Sequence, residues 1–196
     1  MNAHVLKRFE AGVLHVSLKA CDPQAELAEN IIDHLTDIFR AVGTVEGARM
    51  VVLRGEGPIF CCDNNPADGS EIAQEPHENL IQKAKKVNGL LDAIHNCPLT
   101  AIVFCHGNVC SADIGLLAAS DMAIAHENTR FYSSKAYPAD YSSYINSRIS
   151  QENYKHLSAI SRVILAPEAK ELRLVNFVGT EQDCIEYLES CIRDEK

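Results

Sequence analysis

The sequence predicts an α/β fold with at least partly parallel strands. Segments of helical period alternate with short strands, and one of those strands, 50-MVVL-53, is apolar enough to be buried on both faces. No internal repeat, low-complexity run or linker divides the chain. Its 196 residues suffice for one substantial core, so a single domain over 1–196 is expected.

The elements follow in order. Val5–Phe9 and 13-VLHVSL-18 flank Glu10-Ala11-Gly12 and read as a β-hairpin. From Glu26 to Ala41, Leu27, Ile31, Ile32, Leu35, Ile38 and Phe39 recur at helical spacing, and Gly43 lies just beyond. The strand Met50–Leu53 runs into 58-PIFCCDNNPADGSEIAQEP-76, a loop rich in Pro, Asp, Asn and Gly that is a candidate wall of a site. His77–Asn96 has a helical apolar stripe ended by Cys97-Pro98. A strand at Thr100–Phe104, a loop at Gly107, a small-residue helix over about 112–119 and a strand at Met122–Ala125 come next. The last third carries Tyr137, Tyr141, Tyr144 and Tyr154 in a polar helical region. A strand at about 175–178 and a helix over Glu181–Ile192 close it.

Composition narrows the function classes. With 46% hydrophobic and 23% charged residues the chain reads as globular, and its formal charge of −9 opposes binding to nucleic acid or anionic membranes. The apolar runs are too short to span a bilayer, and Met1–Glu10 lacks a signal-type apolar core, so a cytoplasmic location is expected. Eight cysteines occur without a C-x2-C pair, which favours free thiols over a metal site built from Cys105, His106 and Cys110.

Five phrases in register resemble the crotonase (enoyl-CoA hydratase/isomerase) superfamily: the opening hairpin with its helix, 50-MVVLRGEGPIFCCDNN-65, 98-PLTAIVFCHGNVCSADIGLLAASDMAIA-125, 131-FYSS-134 and 168-EAKELRLVNFV-178. The family typically carries VVLTGEG-x-x-F-C-A-G-A-D-L, then P-x-I-A-A-V-x-G-x-A-x-G-G-G-x-E-L-A-x-x-C-D, then E-A-x-x-x-G-L-V. The resemblance implies a ClpP/crotonase-like spiral of ββα units, without most of the helical extension that usually ends the family's domain. It also implies a substrate carried as a thioester of coenzyme A or of phosphopantetheine on an acyl carrier protein, with no other cofactor. A homo-oligomer, trimer or hexamer, is implied as well.

The same resemblance names a site. The oxyanion-hole donors would be the backbone N–H groups of Asn64, in place of the alanine of A-G-A-D, and Ala112, in place of the second glycine of G-G-G. The positions of the two hydratase glutamates fall on Gly115 and near Lys135, so neither supplies a carboxylate and ordinary enoyl-CoA hydration is disfavoured. Other branches place a working aspartate where 138-PADYSSYINSRI-149 carries Asp140, the candidate base or nucleophile; a helix N-cap is its competing role. Cys62, Asp63, His106, Asp113, Lys135 and Tyr137 are further candidates to line the site. Among them Asp113 suits the cap of the 112–119 helix, His106 suits support of its loop, and Asp63 and Asp68 suit solvated turns. Two functions remain open: an enolate- or oxyanion-stabilised reaction (dehydration, isomerisation, decarboxylation or C–C cleavage) of specialised, polyketide-type metabolism, or a non-catalytic subunit that has kept the fold and lost its carboxylates.

Overall fold

Strands β1 (His4–Glu10) and β2 (Val13–Lys19) pair antiparallel in the computed structural model, which describes residues 4–19, 29–56, 60, 77–132, 142–153 and 163–194. Their turn places Ala11 and Gly12 at φ 51° and 83°. Left-handed geometry at both central residues matches the right-handed twist of the flanking strands. The amphipathic stripe read from sequence forms α1 (Glu29–Ala41), which buries Ile31, Ile32, Leu35, Ile38 and Phe39.

The remaining elements are β3 (Met50–Glu56), α2 (His77–His95), β4 (Thr100–Cys105), β5 (Asn108–Val109), α3 (Ser111–Ala119), β6 (Met122–His126) and β7 (Arg130–Tyr132). They are followed by α4 (Ser142–Arg148), β8 (Val163–Leu165), α5 (Ala166–Glu171), β9 (Phe177–Gly179) and α6 (Glu181–Asp194). The main sheet has six strands in the order β1-β2-β3-β4-β6-β9, parallel from β2 onward. A second sheet of three strands, β5-β7-β8, was not expected from the sequence. Its strands have two or three residues each, too few for a period to register.

Alternation explains the apolar runs. Val51, Leu53, Ala101, Val103, Cys105, Ala123 and Ala125 point into the main core with α1, α2 and α3. Their neighbours Met50, Val52, Ile102, Phe104 and Ile124 form a second cluster on the other face with Cys184, Tyr187 and Leu188 of α6. Strands covered on both faces cannot alternate apolar with polar residues, so MVVL and TAIVF are continuous.

Local chemistry sets the element ends. Thr180 and Asp183 form a reciprocal cap on α6: the Thr180 N–H donates to Asp183 Oδ2 at 3.0 Å, and the Asp183 N–H donates to Thr180 Oγ1 at 3.3 Å. The Thr180 hydroxyl, which donates to the same Oδ2 at 2.6 Å, and then the Thr180 N–H hold the Asp183 carboxyl below its usual range. Helix α5 ends with the Leu174 N–H bonded to the Ala169 carbonyl at 2.8 Å and Arg173 at φ 64°. Glycine is the usual residue at such a left-handed helix end, and it is the residue of the E-A-x-x-x-G-L-V phrase. Arginine there costs roughly 1–2 kcal/mol.

Candidate functional site

The chain leaves β4 at Cys105, passes the part-buried His106 and turns at Gly107, whose φ of 66° is a left-handed conformation that suits glycine. Strand β5 follows and pairs with β7 through Asn108↔Arg130 and Val109↔Phe131. The Arg130 N–H donates to the Gly107 carbonyl at 2.9 Å, which fixes the turn. Cys110 is extended (φ −108°, ψ 176°) and begins α3, whose first helical bond runs from the Ile114 N–H to the Cys110 carbonyl at 3.0 Å.

Asp113 is fully buried, and its Oδ2 accepts the Cys110 N–H at 3.3 Å, so it caps the helix. The Ser111 and Ala112 N–H groups lie in the first turn, where no intrahelical acceptor is available. They stand at the C-terminal end of the parallel strands, the end at which open α/β sheets take ligands. Backbone donors at a helix N-terminus can stabilise an oxyanion, because their dipoles are fixed before the charge appears.

Among the described residues, His106 and Asp113 are the titratable side chains next to this turn besides the cysteines. Gly115 is buried one turn into α3 and carries no proton-transferring group. Burial pushes the Cys105 thiol well up, with a smaller contribution from the Asp113 charge, so it stays protonated rather than serving as a thiolate. Among the described residues no three His, Cys, Asp or Glu side chains gather to hold a metal ion. Cys97, Cys105, Cys110, Cys184 and Cys191 are not in disulfides.

Of the residues expected at the site, Ala112 and Asp113 lie in the first turn of α3, and His106 lies in the loop between β4 and β5 that precedes it. Cys62, Asp63, Asn64, Asp68, Lys135, Tyr137 and Asp140 lie outside the described residues. Phe60, ahead of Asn64, is fully buried in the main core.

A groove of about 510 Å³ opens at the other end of the strands, between the last turns of α2, α3, α4 and α5 and the starts of β6 and β9. Arg148 is central to it. Its Nε donates to the Leu174 carbonyl at 2.9 Å, its Nη1 to the Ser120 carbonyl at 2.7 Å, and its Nη2 to Asn176 Oδ1. Asn176 Oδ1 also accepts the Ala123 N–H at 2.8 Å. Burial lowers the Arg148 pKa to about 10, opposed by the Asp121 charge. Sequence reasoning missed this arginine; the only signal was a last-turn arginine in α4 with no carboxylate one turn before it. This groove is thus remote from the α3 N-terminus.

Comparison with known proteins bears on the fold and the family. The enoyl-CoA hydratase/isomerase family model matches residues 8–194. The bacillaene synthase dehydratase PksH of Bacillus subtilis (strain 168) is 24% identical over 184 residues, 91% of this chain and 70% of that protein. The enoyl-CoA hydratase AKT6-1 of Alternaria alternata is 23% identical over 122 residues, 62% of this chain, and the match spans only 39% of that relative's length. Among solved structures, the Mycobacterium smegmatis enoyl-CoA hydratase superposes with a TM-score of 0.79 at 25% identity, over 97% of this chain and 75% of that one. The Bacillus halodurans enoyl-CoA hydratase gives 0.85 at 16% identity, over 97% and 79%. The fold is the crotonase fold that the sequence phrases implied.

Proposed function

The chain belongs to the enoyl-CoA hydratase/isomerase family, and from that premise we propose that it binds an acyl thioester at the start of α3 and promotes a step through an enolate or oxyanion. The observation that carries this reading is the first turn of α3, whose Ala112 N–H is held at the C-terminal end of the parallel strands by the Gly107 turn and the Asp113 cap. Asn64 would supply the second donor. Two fixed N–H dipoles would withdraw charge from the thioester carbonyl as the C2 proton leaves, lowering the barrier to the enolate.

Asp140 is the proposed base. One carboxylate suffices when a single proton is carried from C2 to another atom of the same substrate. In isomerisation it returns the proton to C4; in dehydration it passes the proton to the departing C3 oxygen, which leaves as water. Hydration through the paired glutamates of ordinary hydratases is disfavoured, because Gly115 and Lys135 stand at or near their positions. Likeness to a dehydratase of bacillaene synthase supports dehydration or a related step in polyketide-type metabolism, with coenzyme A or an acyl carrier protein as the thioester carrier.

A second reading, a binding subunit without turnover, is favoured by Asp113 itself. Its buried carboxylate already occupies the positive end of α3, so a second negative charge there meets a weakened field. Isothermal titration with acetyl-CoA and free coenzyme A, followed by an acyl-CoA and acyl-phosphopantetheine panel read by mass spectrometry, separates the two. Thioester binding with product formation is the expected result. Binding without turnover selects the subunit reading, and absence of binding overturns both.

A further inference from the structure

We propose that the groove at the N-terminal end of the parallel strands is a separate anion site, taking a small molecule with a phosphate or pyrophosphate group. Arg148, Lys170 and Arg173 line it with His95, and among the described residues Asp121 is the only carboxylate that does so. Such a concentration of positive charge is unusual on a chain of formal charge −9. Asp121 is already engaged, its Oδ2 accepting the Ala101 N–H at 2.8 Å. Among the described residues neither Lys170 nor Arg173 has a carboxylate partner; Lys170 Nζ instead lies 5.4 Å from the centre of the Phe177 ring.

A competing account is that these cations serve the negative ends of the helices that finish around the groove. Arg148 and Lys170 lie in last turns and fit that account. Arg173 does not. It stands beyond α5 in a left-handed conformation where glycine would be strain-free, and a cation one residue earlier would meet the helix end without that strain. Strain kept at a cation that lines a groove points to a ligand.

The geometry also selects the ligand class. Arg148 is spent on neutral acceptors, so it adds a fixed positive field to the groove floor without offering its fork. Lys170 and Arg173 are exposed, and their side chains are left to make direct contacts. Two exposed cations over a positive floor favour a multiply charged oxyanion over a single carboxylate. A volume of about 510 Å³ suits a small molecule. Because the groove and the start of α3 lie at opposite ends of the strands, phosphate binding and thioester binding are separate measurements.

The test is isothermal titration of the full chain with inorganic pyrophosphate at low ionic strength, using wild type, Arg173→Gly and Lys170→Gln, with citrate as a carboxylate control. Wild type is expected to bind one pyrophosphate per chain more tightly than citrate. Each variant should lose roughly tenfold in affinity. Arg173→Gly should at the same time melt roughly 2–4 °C higher, since it removes the strain. Absence of pyrophosphate binding, tighter binding of citrate, or equal affinity in all three proteins overturns the proposal. So does a lower melting temperature for Arg173→Gly, because the arginine would then be stabilising the fold rather than serving a ligand.

Discussion

Asp113 and Asp140 are aspartates with different work. Asp113 is a cap: its Oδ2 holds the Cys110 N–H, and the helix whose first turn it closes carries Ala112. Asp113→Ala should cost about 1–2 kcal/mol, whereas Asp113→Asn, which keeps an acceptor oxygen, should retain much of the cap; urea denaturation of both proteins measures the difference. Asp140 is the base proposed above. Asp140→Asn keeps shape and capping capacity but removes the base, so turnover should fall about a hundredfold or more with little change in melting temperature. Unchanged turnover in a folded Asp140→Asn protein would return Asp140 to a capping role. Gly115→Glu restores only one of the two hydratase carboxylates, so it should leave crotonyl-CoA hydration no faster than in wild type; a rise to the rate of ordinary hydratases would overturn the register.

At the scale of elements, stability depends on close approaches and on one half-buried histidine. The turn at Val42–Thr44 packs on the α2–β4 connection so tightly that a Cβ on Gly43 would lie 2.7 Å from Pro98 Cγ. The rigid ring cannot swing away, so Gly43→Ala should destabilise by about 1–3 kcal/mol, read by thermal or urea unfolding. His15 lies on β2, opposite Arg8 of β1 and Val52 of β3. Burial, then the charges of Arg8 and Arg54, hold its pKa below 6.5, partly offset by Glu10. The folded state therefore prefers the neutral ring. The stability that results is complete above the unfolded value and is lost as pH falls through the lowered folded value. Melting curves from about pH 7.5 to about pH 5 should show less acid loss for His15→Gln than for wild type.

At the scale of the molecule, the main sheet is buried on both faces along most of its strands, but some apolar surface remains. Leu6 and Phe9 on β1, Ile81 on α2 and Leu165 on β8 are exposed. Scattered exposed apolar residues are common in monomers, so the expectation of a trimer or a dimer of trimers rests on family resemblance and on this remaining surface. Multi-angle light scattering should give an integral multiple of the 21.6 kDa chain, three or six copies; a constant monomer mass across concentrations would remove the prediction.

The sequence by itself determined the α/β alternation, the hairpin, the three longest helices and the central strands. Long amphipathic stripes and doubly buried apolar runs reveal themselves through period alone. It also located the start of α3, because Gly107 and the small-residue helix beyond it form a local signal. The tertiary structure decided what depends on residues distant in sequence. Strands β5, β7 and β8 are too short for a period and exist because their backbone groups find partners in one another. Arg148 reads locally as an ordinary last-turn cation; only folding brings the Ser120 and Leu174 carbonyls and Asn176 around its guanidinium. Arg173 reads as one more surface charge until the backbone reveals a left-handed helix end, since strain belongs to conformation and not to composition.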